Sequence, residues 1–379
     1  MGDGDGLKLI ERIGIDRSVL YGFTVLSIDV DRLKQCQYEN KTFVDLVEDE
    51  RSPIVLADGR RIGKLVVQSQ AIGKLCIEFR KNNLNMTEHI VSTLEMMVSA
   101  DGNNLQNLNA DGYRDRIGEV FDLLKNGYGI EIAYESIRLK KVELNATFRL
   151  DEPYENYKKA ILLLIRNVPA SRYGSDTNRN SVKYAAWSEA MKGRDKLETI
   201  LVKNSSLELK IYNKTKHLED IRTLDNTGKD CMRIEFLIKD ARILSNAWGD
   251  NLVADLTDEG IRNLFLKFFR RDIAEPYERW SKENQKELLK LAIKHKRESP
   301  KRWVSNFIRD CRQIESKQGM PMLFDIADMK DVFKRIEPKA GRNNSSHRFK
   351  RFKKQATFEQ DLEGNSRRVR EIIDKVLTM

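Results

Sequence analysis

Three short segments of this chain alternate polar and apolar residues so strictly that each carries its reactive groups on one side. Over 142–148 the apolar set is Val142, Leu144, Ala146 and Phe148, which leaves Glu143 and Asn145 together on the other face. Over 207–214, Leu207, Leu209 and Ile211 alternate with Glu208, Lys210, Tyr212 and Lys214. Over 232–238, Met232, Ile234, Phe236 and Ile238 leave Arg233 and Glu235 opposite. If the three strands share a sheet, one face gathers carboxylates, a phenol, a guanidinium and amines. Hard carboxylate oxygens suit Mg2+ or Mn2+, which polarises a phosphate oxygen while a phenolate attacks phosphorus. A tyrosine phosphodiester keeps the energy of the broken linkage, so a 3′-hydroxyl can later reverse the step. Lys210, Lys214 and Arg233 are placed to lower the phenol pKa and offset charge at phosphorus. The alternative is an ordinary antiparallel sheet with one solvated, mixed-charge side.

The elements that must hold this face follow from periodicity. Period-2 runs at 24–30, 75–80 and 130–142, with helical spacing over 113–124 that stops at Gly127, predict an α+β domain over residues 1–250. Its antiparallel-rich sheet packs one face on helices. Segment 154–167, with Tyr157, Ala160, Ile161, Leu164 and Ile165 on one stripe, is the helix expected beneath the apolar face. The first 70 residues receive only a place at the sheet's edge. Beyond 250 the pattern is wholly helical, with segments at 261–271 and 282–297. Ser299 and Pro300 then form an N-cap and N1 pair for a helix burying Trp303, Val304, Phe307, Ile308, Cys311 and Ile314. Asp325 opens a fourth. Residues 251–338 are therefore expected to form a helical DNA-binding or accessory domain, followed by a basic tail over 339–379 with a terminal helix near 366–376.

The chain has 68 Lys plus Arg and 58 Asp plus Glu, a formal charge of +10. Residues 256–379 carry 30 basic and 19 acidic groups, against 38 and 39 before them, so the whole surplus lies in the last third. Such asymmetry points to a polyanion, nucleic acid before an anionic membrane. Within 339–354, Phe349 and Phe352 interleave with Arg342, Arg348, Lys350, Arg351, Lys353 and Lys354, with no acid. That pattern suits phosphate contacts plus stacking on unpaired bases; a flexible solubilising linker is the alternative. The longest apolar run, 160–165, is far below the roughly 20 residues that cross a bilayer, so no membrane partner is expected. Cys36, Cys76, Cys231 and Cys311 form no metal-ligand spacing and read as reduced thiols of a cytoplasmic protein.

Together these motifs resemble the rolling-circle replication initiators, the family of filamentous-phage gene II proteins and the Rep proteins of small plasmids from Gram-positive bacteria. LKIYNKTKHLE is similar to the plasmid branch's IYNKK motif, whose tyrosine is the DNA-nicking nucleophile, here Tyr212. CMRIEFLIK resembles the family's R-hydrophobic-E strand, mapping onto Arg233 and Glu235, with the glutamate implied as a metal ligand. VELNATFRL resembles the acidic strand written RIDATF in the phage branch. Asn145 stands at that aspartate, and Glu143 is expected to supply the carboxylate instead. Where plasmid proteins carry a glutamate after the tyrosine, this chain has His217 and then Glu219, either of which would serve the metal or act as base. Tyr173 and Tyr184 are lesser nucleophile candidates. The likeness spans 138–240 and extends loosely over the helical region. The chain lacks a His-hydrophobic-His pair, and His89, His295 and His347 are expected at surfaces or boundaries.

The resemblance implies a site-specific enzyme that nicks and rejoins an origin strand. Tyr212, Lys214 and Arg233 would be catalytic, with Mg2+ or Mn2+ among Glu143, Glu235, Asn145, Glu219 and His217, and with Lys210 on the DNA. It also implies origin DNA, single-stranded or as a hairpin, as substrate, a host helicase and DNA polymerase as partners, and a homodimer. No GxxxxGK[ST] loop is present to drive strand separation. A relaxase for conjugative mobilisation, a non-catalytic origin-binding regulator and a metal nuclease using water remain as alternatives.

Overall fold

Strict alternation builds strands wherever the sequence shows it. The computed structural model describes residues 8–9, 13–39, 42–56, 58–81, 88–97, 107–133, 136–169, 173, 199–220, 230–318, 321–336, 343–359 and 362–379. The strands are β1 (Lys8–Leu9), β2 (Gly14–Tyr21), β3 (Thr24–Ile28), β4 (Phe43–Glu48), β5 (Ile62–Ser69), β6 (Gly73–Lys81), β7 (Glu88–Met97), β8 (Ile130–Ala133), β9 (Arg138–Arg149), β10 (Thr199–Lys203), β11 (Leu207–Asn213) and β12 (Cys231–Ile238). Ten of them form one antiparallel sheet in the order β10-β11-β12-β9-β2-β7-β6-β5-β4, with β1 beside β9. β3 and β8 make a separate pair. The run expected as one strand over 130–142 is thus two strands in two sheets. β2, from the segment expected at the edge, lies in the middle of the sheet.

Helix α1 (Val30–Glu39) precedes β4, and α2 (Ala110–Tyr128) buries Tyr113, Ile117, Val120, Phe121 and Leu124. α2 runs past Gly127 and ends at Gly129, whose φ of 68° is the left-handed conformation that closes helices. α3 (Tyr154–Arg166) buries the expected stripe. A short α4 (Lys214–Asp220) follows β11, and α5 (Ala241–Trp248) follows β12. The apolar face of the sheet packs on helices: Phe236 of β12 meets Phe265 and Phe268 of α6 (Asp258–Phe269) at 5.3 and 5.6 Å between ring centres. The fold is α+β, an N-terminal antiparallel sheet with helices followed by a helical region.

The two helices expected at 261–271 and 282–297 are joined. A π turn at Arg270–Ala274 links α6 to α7 (Glu275–Lys294), with Pro276 in the first turn of α7. The first turn of a helix tolerates proline because its N–H would lack a partner there, so Pro276 does not break the segment. The region continues with α8 (Pro300–Gln318), α9 (Ile326–Ile336), α10 (Asn343–Glu359) and α11 (Asn365–Leu377). Its own core centres on Trp303, which stacks on Phe307 at 5.3 Å and meets Phe333 edge-on at 4.7 Å. α11 leaves this core and packs Val369, Ile372, Ile373 and Val376 into the core of the sheet. Glu152, just before α3, receives Arg367 and Arg368 of α11. Among the described residues no helix is long and apolar enough to cross a membrane. All four cysteines are free thiols.

Candidate active site

The motif-bearing strands are neighbours, and their register fixes which side chains meet. Tyr212 of β11 pairs with Arg233 of β12, and Lys210 with Glu235. Across the other side of β12, Glu235 pairs with Asn145 of β9, and Arg233 with Thr147. The local sequence after Tyr212 explains its position. β11 ends at Asn213, whose Oδ1 accepts the Lys216 N–H at 3.2 Å and so opens α4. Thr215 Oγ1 accepts the Cys231 N–H at 2.8 Å, tying α4 to β12. Lys214, the first residue of α4, thereby stays on the tyrosine's side.

This face is buried, not the solvated sheet surface that alternation alone would allow. Arg233, Asn145 and Thr147 have 0% exposure, Lys214 1%, and Tyr212 and Glu235 3%. The Tyr212 hydroxyl donates to Glu235 Oε1 at 2.6 Å. Lys210 donates to Glu235 Oε2 at 3.1 Å, and its ammonium lies 4.2 Å from the centre of the Tyr212 ring. Arg233 donates from Nε to Thr147 Oγ1 at 2.7 Å and from Nη1 to Asp16 Oδ2 at 3.2 Å. Its Nη2 is buried with no acceptor among the described residues. His217 stands edge-on to Tyr212 at 5.6 Å, and burial lowers its pKa.

Asp16, on β2, is the residue that periodicity misses. β2 pairs Ile15 with Leu144 and Arg17 with Glu143, so Asp16 is the extra residue of a bulge. The bulge adds its carboxylate to the face that Glu143 and Glu235 share. Ligand oxygens of Asp16, Glu143 and Glu235 all lie within 4.8 Å of one another, and this buried acidic triad can hold a metal ion. The electrostatics fit a cation of hard character. Burial, followed by the charges of Glu235 and Asp16, pushes the Glu143 carboxyl up to about 8. Burial likewise raises Asp16 against the opposing pull of Arg233. Such repulsion among desolvated carboxylates is what a divalent cation relieves.

One expectation changes at these residues. Tyr212 was expected to have its phenol pKa lowered by cations; burial first, and the Glu235 charge next, hold it above its ordinary value. Asn145, expected among the metal ligands, has its Oδ1 accepting from Asn107 Nδ2 at 2.9 Å and its Nδ2 buried without an acceptor among the described residues. Burial, then Arg233, pulls the Lys214 amine down to about 8. The Glu219 side chain, Tyr184 and Arg342 lie outside the described residues. Tyr173 is far from solvent and donates its hydroxyl to Asp272 Oδ2 of the π turn at 3.0 Å.

The expected DNA-binding run divides in two. Phe352 is fully buried against Phe307 and Phe333, and Phe349 meets Phe333 at 5.8 Å, so these rings pack the helical core instead of presenting a platform for bases. Arg348 is buried with its guanidinium 5.6 Å from the Trp303 ring centre. Lys350, Arg351 and Lys354 face outward, as does Lys353, which pairs with Glu363 at 2.8 Å. His347 is exposed as expected, the His89 side chain is not among those described, and His295 is buried between Glu298 and Asp310. Comparison of the chain with protein-family models and with curated proteins gave no match.

Proposed function

We propose that this protein is a DNA nicking and joining enzyme that starts rolling-circle replication through a tyrosine phosphodiester. The observation that carries the reading is the Tyr212 hydroxyl donating at 2.6 Å to Glu235, itself a member of a buried carboxylate triad flanked by Arg233, Lys210 and Lys214. A phenol whose proton is already shared with a carboxylate has its general base in place. As the Tyr212 oxygen bonds to phosphorus and the bond from phosphorus to the 3′-oxygen breaks, the phenolic proton passes to Glu235. Lys214 gives a proton to the departing 3′-oxygen, which leaves as a hydroxyl. Arg233 Nη2, lacking an acceptor, is the donor available to a phosphate oxygen. Asp16, Glu143 and Glu235 would hold Mg2+ or Mn2+, which supplies Lewis-acid polarisation of the phosphate. Reversal by a new 3′-hydroxyl reseals the strand.

In this reading origin DNA enters as a single-stranded or hairpin segment, and the exposed cations of α10 add phosphate contacts. A host helicase and DNA polymerase would extend the freed 3′-end, and a homodimer would hold two tyrosines. A relaxase would use the same chemistry. The burial of Tyr212 at 3% exposure favours a second reading, a non-catalytic origin-binding protein in which the tyrosine is sheet packing. Incubation with Mn2+ and a labelled origin oligonucleotide separates them. A covalent adduct lost in Tyr212→Phe supports the proposal. An adduct that persists in that variant refutes Tyr212 as nucleophile, cleavage without adduct favours a water nuclease, and neither product favours the silent protein.

A further inference from the structure

We infer that Asn107 sets which atom of Asn145 meets the acidic triad, and thereby sets the affinity of the site for a divalent cation. The inference rests on the metal-centre reading above. A carboxamide has one donor end and one acceptor end, so two paired asparagines must meet nitrogen to oxygen. Asn107 Nδ2 donates to Asn145 Oδ1, which turns Asn145 Nδ2 away from Asn107 into a buried position where it has no acceptor among the described residues. Asn145 lies directly between Glu235 on one strand and Gly14 on the other. If both amides rotate, Asn145 Nδ2 donates to Asn107 Oδ1 and Asn145 Oδ1 takes the buried position. An oxygen there is repelled by the neighbouring carboxylates unless a cation lies among them. The pair thus has a nitrogen-in arrangement suited to the metal-free site and an oxygen-in arrangement suited to the loaded one.

The backbone around Asn107 is built for this contact. A Cβ at Gly14 would stand 2.5 Å from Asn107 Cβ, so only glycine lets Asn107 reach across β2 to Asn145. The following residues are anchored on both sides: Leu108 bridges Ile15, and Asn109 caps α2 by accepting the Gly112 N–H at 2.8 Å. Asn107 acts on the triad through Asn145. It is a positioning residue.

The test is Mn2+ titration of the full chain by calorimetry, without DNA. Asn107→Asp offers only acceptors, so Asn145 must turn Nδ2 toward it and Oδ1 inward, and Mn2+ binding is expected to tighten. Its added charge also attracts the cation, so the same change is made in an Asn145→Ala background, where only that charge acts. The tightening in the native background should exceed that in the Asn145→Ala background by about fivefold or more, the factor equivalent to one satisfied buried polar group. Asn107→Ala adds no charge and removes the bond from both arrangements alike, so Mn2+ binding should stay close to that of wild type; tightening like that of the aspartate variant overturns the inference, which keeps the test available if the aspartate variant does not fold. Equal effects of Asn107→Asp in the two backgrounds also overturn the inference and leave the metal centre standing. Absence of Mn2+ binding by the wild-type chain overturns both.

Discussion

Replacing Arg233 with methionine removes a cation that the candidate site fully encloses. The guanidinium has no solvent exposure, donates at 2.7 Å to Thr147 and at 3.2 Å to Asp16, and stands 3.9 Å from Glu235. Methionine fills similar space but leaves Asp16 without its partner and Thr147 without its donor. Breaking a buried ion pair on one side costs about 3–5 kcal/mol, because the remaining charge stays desolvated. In EDTA, Arg233→Met should therefore lose about that much stability in urea unfolding followed by circular dichroism. Mn2+ replaces the missing positive charge. At about 100 times its dissociation constant a ligand stabilises by about 2.7 kcal/mol, and the variant's more negative triad should bind it more tightly than wild type. The variant should thus gain more from Mn2+ than wild type while failing to form the DNA adduct. Unchanged stability in EDTA, or a smaller Mn2+ gain than wild type, would refute the claim that Arg233 neutralises the triad.

Three further outcomes follow from other parts of the molecule. With Glu143 held up to about 8, its carboxyl is protonated at pH 7 and must release a proton to a cation, so Mn2+ affinity should rise about tenfold per pH unit and level off above 8. The same raised value makes metal-free stability greatest below the ordinary 4.5 and progressively lower as pH climbs to about 8; calorimetry in buffers of different ionisation enthalpy checks both, and a flat profile counts against the triad. Phe352→Ala should destabilise the helical core by about 3–5 kcal/mol without changing Mn2+ affinity, as seen by comparing thermal unfolding with titration. Changing the exposed Lys350, Arg351 and Lys354 to glutamine should lower the slope of log affinity against log salt for DNA by about 2–3, with unfolding unaffected.

The sheet around the candidate site was legible because alternation is a local rule. Val142, Leu144, Ile211, Ile234 and Phe236 all face the core, as period two requires, and this puts Glu143, Tyr212, Arg233 and Glu235 on the other side. Asp16 was not legible, since a bulge inserts one residue and cancels the parity that would have flagged it. The signal available was Gly14 opening the strand, a residue that often marks a bulge or a close backbone approach. In α10 the charge run hid a second pattern: Phe349, Phe352 and Ala356 recur at helical spacing and face the core around Trp303. The return of α11 to the sheet depends on pairings more than 200 residues apart, between Glu152 and Arg368, which no local pattern encodes.

The burial of the charged face is itself an argument for chemistry. Asp16, Glu143 and Glu235 set against Lys210, Lys214 and Arg233 contribute nothing to the net charge, so composition cannot reveal them. Energetically the enclosed members, Asp16, Glu235, Lys214 and Arg233, are expensive: each forfeits hydration worth several kcal/mol, and apolar residues of similar size would hold the sheet at least as well. The opposite face of the same strands, with Leu144, Ile211, Ile234 and Phe236 fully covered by helices, already supplies the packing. A cluster that stability does not require, whose carboxyl and amine are both moved toward neutrality by burial, has the acid and base that proton transfer to and from a phosphodiester needs. Mixed charge on a sheet is ordinary in water. Placed in the dry interior beside a phenol already bonded to a carboxylate, it favours a reacting site over a structural one.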